Sequence, residues 1–471
     1  MTVGLVEHLA AFAHAVPGTA PRAVVDGVRQ RLLDTIGVQV AATRLDTSAA
    51  AARFVRAQAG SGQATAIGIP LRVPAPWAAF LNGVLAHSLD YDDTHLPSIL
   101  HPSASVVPAA LAVAELADVE GPTLAAAVAA GLEITVRLGM AGYDPDAKNS
   151  RFFEHGQHAT SICGAVGSAA SASVLLGHPA RRVADAMAIA ASMASGVIEA
   201  NRNGGTVKRL HCGWAAHAGV SAALLAGEGF TGPPTVLEGR FGFFQAFLHG
   251  WFRSEELTGE LGERWSIADI CVKPYPANHF THAAIDAALE LRAAGLRADD
   301  VETAELRVAT PTVRTIGEPL DRKQAPQTGY EAQFSGPYAI AAALLGGSGL
   351  GLGLRDFSDE AASDPRRRAL MAKVTVIGDP ECDRIYPHQL PAVLAVRTRA
   401  GQQLEARVLH NRGGPQRPLS DDEQRTKFRD NVAGVLTETQ VAAVERAVHE
   451  LPDGGRAVDV LAPLAELDLV E

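Results

Sequence analysis

Along the first half of the chain, apolar residues return at helical spacing and Gly and Pro punctuate the runs. From residue 76 to about 229 the pattern predicts helices near 76–89, 104–118, 123–140, 159–176, 179–194 and 209–228. Residues 1–60 read as two or three further helices broken at Pro17 and Pro21, beginning with the amphipathic stretch MTVGLVEHLAAFAH. Residues 64–68 read as a short strand or a turn. The run 163–176, CGAVGSAASASVLL, is packed with Gly, Ala and Ser. Such small side chains let neighbouring backbones approach closely, which predicts a central helix.

After about Trp265 the period changes. A helix over 280–294 is followed by 302–309, where Ala304, Leu306 and Val308 alternate with polar residues, the signature of a strand. Residues 373–377 and 391–397 read similarly, and Ala400-Gly401 turns the chain into 403–409 as a hairpin. A small-residue helix covers 337–345, and the glycine-rich stretch 346–353 that follows it reads as a loop, since it fits no GxGxxG spacing. SDDE at 420–423 and TETQ at 437–440 are capping boxes that start two amphipathic helices. The pattern alone leaves open whether these rejoin the first domain or form an appendage.

Composition narrows the class. The chain has 471 residues, 47% apolar and 20% charged, so it is globular with ample core. Its net charge of −11 argues against nucleic acid as a partner. No uninterrupted apolar run approaches the ~20 residues of a membrane span, and the N-terminus lacks the cationic start and cleavage site of a signal peptide. Cys163, Cys212, Cys271 and Cys382 are far apart, without CxxC or CxH spacing, so zinc and iron–sulfur sites have no support. Free thiols of this kind suit a reducing cytoplasm.

Candidate chemistry gathers in four polar segments, and eleven of the 16 histidines lie from His87 to His282. The first segment lies within 85–115, where a polar knot of Asp90, Asp92, Asp93, Thr94 and His95, then His101-Pro102, interrupts two apolar helical runs. Glu154-His155-Gly156-Gln157-His158 puts His158 at the start of the small-residue helix. From Asn203 to His211, glycines, Thr206 and Lys208 lead into a helix, whose free N–H groups favour anions. The fourth, 272–279, is a proline-stiffened loop carrying Lys273. Taken singly, each has an ordinary explanation: a capped loop, a packed histidine, a surface lysine.

Together the four segments resemble the MmgE/PrpD family. The matching pieces are DYDDTHLPSILHPSASVVPAALAVAE, GQHATSICGAVGSAAS, GTVKRLHCGWAAHAGVSAALLAGEGFTGPPTVLEG and KPYPANHFTHAAIDA, in family order, with FSGPYAIAAALL beyond. The resemblance implies a mainly α fold: a large all-helical domain, 1–265 completed by 411–471, and a smaller inserted α+β domain, 266–410. It also implies a homodimer, no metal or cofactor, and an active site between the domains. Its pocket residues fall on Asp90, Thr94, His101, His158, Lys208 and Lys273.

The family's reactions share a carbanion or enediolate beside a carboxylate, which needs a base at carbon and cations where charge develops. His101 or His158 suits proton transfer, and Lys208 and Lys273 suit a carboxylate. The resemblance therefore implies a lyase on a small di- or tricarboxylate. A dehydratase of the 2-methylcitrate type or a cis-aconitate decarboxylase comes first, with an iminodisuccinate-type epimerase or a non-catalytic carboxylate binder as alternatives. The loop lacks the Trp-rich form associated with 2-methylcitrate dehydratases, which counts against that substrate.

Overall fold

The structure is a computed structural model that describes residues 4–200 and 204–469. Met1 to Val3, at the start of the predicted first helix, and Asn203, at the start of the third segment, lie outside the described residues. The chain divides into two compact units, Met1–Ile270 with Val432–Glu471, and Cys271–Asn431.

The first unit is helical. Its longer helices are α1 Leu5–Thr19, α2 Arg22–Ala42, α3 Asp46–Arg56, α4 Ala75–Ala86, α5 Ser103–Ala117, α6 Gly121–Ala141, α7 Ala159–Leu175, α8 Ala180–Met193 and α9 Val207–Gly227. Pro17 does not break the chain as the pattern suggested, because it falls in the last turn of α1, which Ala20 N–H closes on the Val16 carbonyl at 2.9 Å. The stretch after α3 resolves into a two-stranded pairing, Ala64↔Val73 and Thr65↔Arg72.

Every residue of α7 is buried, with α5, α6, α8 and α9 packed around it. Small residues make this possible. A Cβ placed on Gly131 of α6 would stand 2.8 Å from the Gly167 carbonyl oxygen of α7, too close for any side chain. α6 is long and apolar enough to cross a membrane by length and composition, but 94% of its apolar window is buried inside the unit. Glu133 and Arg137 of this helix pair at 2.6 Å, and Arg137 also donates to the Glu256 and Gly259 carbonyls.

The second unit is built on a four-stranded sheet of β1 Val301–Val308, β2 Val374–Gly378, β3 Ala392–Thr398 and β4 Gln403–Val408, in the order β4-β3-β1-β2. β3 and β4 form the predicted hairpin, antiparallel with Gln403 opposite Arg397, and Gly401 supplies the positive φ of its turn. β1 runs parallel to β2 and antiparallel to β3. Ala304, Leu306 and Val308 join one core with α10 His282–Ala293 and α11 Gly336–Leu345.

The expected edges of this unit, 266 and 410, differ from the observed 271 and 431. The capping box at Ser420 starts α12 Asp421–Val432, and all but its last residue belongs with the sheet. The second capping box, Thr437 with Gln440, starts α13 Glu438–Glu450, which belongs to the first unit. The C-terminal segment is thus no appendage.

Candidate active site

The segments of the first unit converge. Residues 87–102 leave the end of α4 and return at the start of α5, and two non-glycine residues there take the left-handed region, Asp90 (φ 52°) and Ile99 (φ 56°). For a β-branched residue such as Ile99 that is a costly conformation, so the surroundings must fix the loop. Asp93 is one anchor: both Ser103 N–H and Ser103 Oγ–H donate to its carboxylate at the first turn of α5. Burial pushes the Asp93 carboxyl up to about 7, against the effect of the Ser103 hydrogen bonds. His95 is a second anchor, its Nδ1 2.7 Å from Ser98 Oγ, and burial pushes its ring down to about 3. It is a neutral packing histidine.

His101 is different. Its Nδ1 lies 2.8 Å from the Asp93 carbonyl oxygen and 3.3 Å from Thr94 Oγ1. A carbonyl only accepts, so this nitrogen carries the proton and Nε2 is the lone-pair nitrogen of the neutral ring. Its backbone N–H donates to Thr160 Oγ1 at 3.2 Å, which ties the loop to α7. Its side chain is 13% exposed and therefore reachable.

His158 is the N-cap residue of α7, 2% exposed, and its Nδ1 lies 3.0 Å from His211 Nδ1 on α9. Ser161 Oγ–H donates to the His211 carbonyl at 3.0 Å, joining the same two helices. Burial holds the His158 ring well below the usual imidazole value, and the neighbouring His87, Lys208, His211 and His101 push the same way. Burial, with His87 and Lys208 nearby, brings His211 down to about 4. Lys208 stands in the first turn of α9, half-buried, where its charge reaches both rings. The result is a set of neutral histidines beside a cation at a helix N-terminus, an environment suited to an anion.

Of the six expected residues, Thr94, His101, His158 and Lys208 are linked by these contacts and charge interactions. Asp90 lies half-buried in the same loop. Lys273 belongs to the other unit, buried near its start, where Val272 N–H donates to the Gly413 carbonyl at 3.0 Å.

Two members of the cluster stand outside the six expected residues, although His211 closes the third polar segment. His87 closes α4 and bonds Asp92 Oδ2 through Nδ1 at 2.6 Å. His211 is three residues after Lys208, so one helical turn puts both on one face. That spacing was a usable signal. Among the described residues no group of three or more His, Cys, Asp or Glu side chains is placed to hold a metal ion.

The sequence model of the MmgE/PrpD N-terminal domain matches residues 7–255, and that of the MmgE/PrpD C-terminal domain matches 275–453. The chain belongs to the MmgE/PrpD family. It is 30% identical to a cis-aconitate decarboxylase of Mus musculus, over 94% of this chain and 90% of that one. It is 31% identical to the Homo sapiens cis-aconitate decarboxylase, over 94% and 91%. A 2-methylcitrate dehydratase of Cupriavidus necator is 30% identical over 39% of this chain and 37% of its own. These relatives place the chain among the carbon–carbon and carbon–oxygen lyases.

Proposed function

We propose that this lyase decarboxylates cis-aconitate or a closely similar unsaturated tricarboxylate. The observation that carries the reading is the cluster itself: His101, its lone pair set on Nε2 by the Asp93 carbonyl, close to the buried neutral His158 and to Lys208. The choice of decarboxylation over dehydration is supported by the relatives, since the decarboxylases align over nearly the whole chain and the dehydratase over 39% of it.

In this reading the bond to the departing carboxylate breaks and its electron pair moves through the adjacent double bond toward a remaining carboxylate. Lys208 holds that remaining carboxylate in ground and transition states alike, and a histidine that has taken up a proton from water then returns it to carbon. The chain's own residues supply the proton and the counter-charge, so no cofactor is invoked. Dehydration of a 2-methylcitrate-like hydroxy acid is the second reading, favoured by the dehydratase match, and it would use the same groups. A homodimer in a reducing cytoplasm belongs to the same proposal. The support there is the family resemblance and, for the compartment, four buried free cysteines.

One incubation panel separates the reactions: cis-aconitate, 2-methylcitrate, citrate and iminodisuccinate, each followed by proton NMR. Decarboxylation of cis-aconitate alone is the expected outcome. Water loss from 2-methylcitrate as the faster reaction would replace it with the second reading.

Lys208→Ala should chiefly raise KM, because a contact made equally in the ground and transition states contributes to binding alone. A fall in kcat at unchanged KM would show that the lysine acts only on developing charge. The same measurement on Lys273→Ala tests whether the lysine of the second unit serves the same substrate.

A further inference from the structure

His87 has no part in the chemistry above, yet its surroundings are those of a working group. Asp92 Oδ2, an acceptor, lies 2.6 Å from its Nδ1, so that nitrogen carries the proton and the lone pair of the neutral ring falls on Nε2. Nε2 is buried and has no hydrogen-bond partner among the described residues. The ring centroids of His101 and His158 each lie 5.3 Å from that of His87. Other titratable or charged groups around the cluster are Asp93 from the loop, Lys208, His211 and Cys212 from α9, and Arg31 and Asp34 from α2. The Asp92 carboxylate is hydrogen-bonded to His87 and stands 3.7 Å from His101 Nδ1. A ring made positive in this cluster is therefore best balanced at His87. A carboxylate fixing a histidine's tautomer so that its far nitrogen handles protons is a recurring catalytic arrangement.

We propose that His87 is a positioning residue that relays protons: Asp92 clamps its Nδ1, and its unpartnered Nε2 exchanges a proton with His101 and His158. The proposal rests on the lyase reading given above for those two histidines. Only a proton moves. Nε2 takes it up with its lone pair, the imidazolium is balanced by the Asp92 carboxylate, and release of the same proton restores the neutral ring. Nε2 makes no direct bond to either neighbouring ring, so the proton crosses through an oxygen of water or of a substrate carboxylate.

Two measurements test this. His87→Asn keeps an amide donor for Asp92 and removes Nε2. The variant should fold and keep KM, while kcat on cis-aconitate falls about 10²-fold or more, the lower range for acid–base catalysis, and the kcat–pH profile shifts. A folded variant with wild-type kcat and pH profile overturns the relay. The second measurement needs no substrate and no success with that variant. In wild-type protein labelled with nitrogen-15 histidine, the His87 ring should be protonated at Nδ1 and bare at Nε2, and Asp92→Asn should abolish that state. A wild-type His87 ring bare at Nδ1 overturns the proposal. Absence of turnover by wild-type protein on the whole panel would count against the substrate reading alone, and the labelled rings would then decide the role of His87.

Discussion

His101→Ala is expected to lower kcat on cis-aconitate by about 10²–10⁴-fold, the usual worth of general acid–base catalysis, with little change in melting temperature. The residue lies in the loop between α4 and α5, with part of its side chain exposed. His158→Ala should behave differently. His158 is 2% exposed and its ring bonds His211, so its removal strands a buried partner as well as taking away a proton-transfer group. Both kcat and melting temperature should fall. His101→Ala with near-wild-type kcat and a lowered melting temperature would make His101 a packing residue.

A large loss of stability is expected at Gly83. This residue of α4 faces Gly213 of α9, and a Cβ there would stand 2.7 Å from Gly213 Cα and 2.9 Å from the Cys212 carbonyl oxygen. These are backbone atoms and cannot turn aside as a side chain would. One added methyl in a close-packed core costs about 1–3 kcal/mol, so Gly83→Ala should lower the melting temperature by several degrees. Gly83→Val should leave little folded protein. Gly83 is one helical turn before His87, and Gly213 is two residues after His211. Separating α4 from α9 would therefore also damage the histidine cluster. Gly18→Ala is the control, since a Cβ there meets nothing within 4 Å and alanine is the better helix former. It should be neutral or slightly stabilising. Equal behaviour of the Gly18 and Gly83 variants would contradict the close approach of the two helices.

Much of this was legible in the chain because periodicity and side-chain size are local properties. The small residues of 163–176 announced α7, and the alternation at Ala304, Leu306 and Val308 announced β1. The capping box at Ser420 announced the start of α12, but a cap says nothing about what the helix packs on, so the edge of the second unit was placed too early. At the site, Thr94, His101, His158 and Lys208 stood out because polar residues interrupt apolar runs there. His87 did not, since it closes an apolar helix and its partner Asp92 is reached only through the left-handed turn at Asp90. His211 was hidden inside a helix, and its pairing with His158 joins segments 53 residues apart.

The central claim is that this histidine cluster and Lys208 carry out proton-coupled decarboxylation of cis-aconitate. The most direct test is to incubate wild-type protein with cis-aconitate in D₂O, measuring released CO₂ and the deuterium content of the product by mass spectrometry. The account predicts one equivalent of CO₂ and an unsaturated five-carbon dicarboxylate carrying one solvent deuterium on carbon. Deuterium exchange or gain of water without CO₂ release would contradict it.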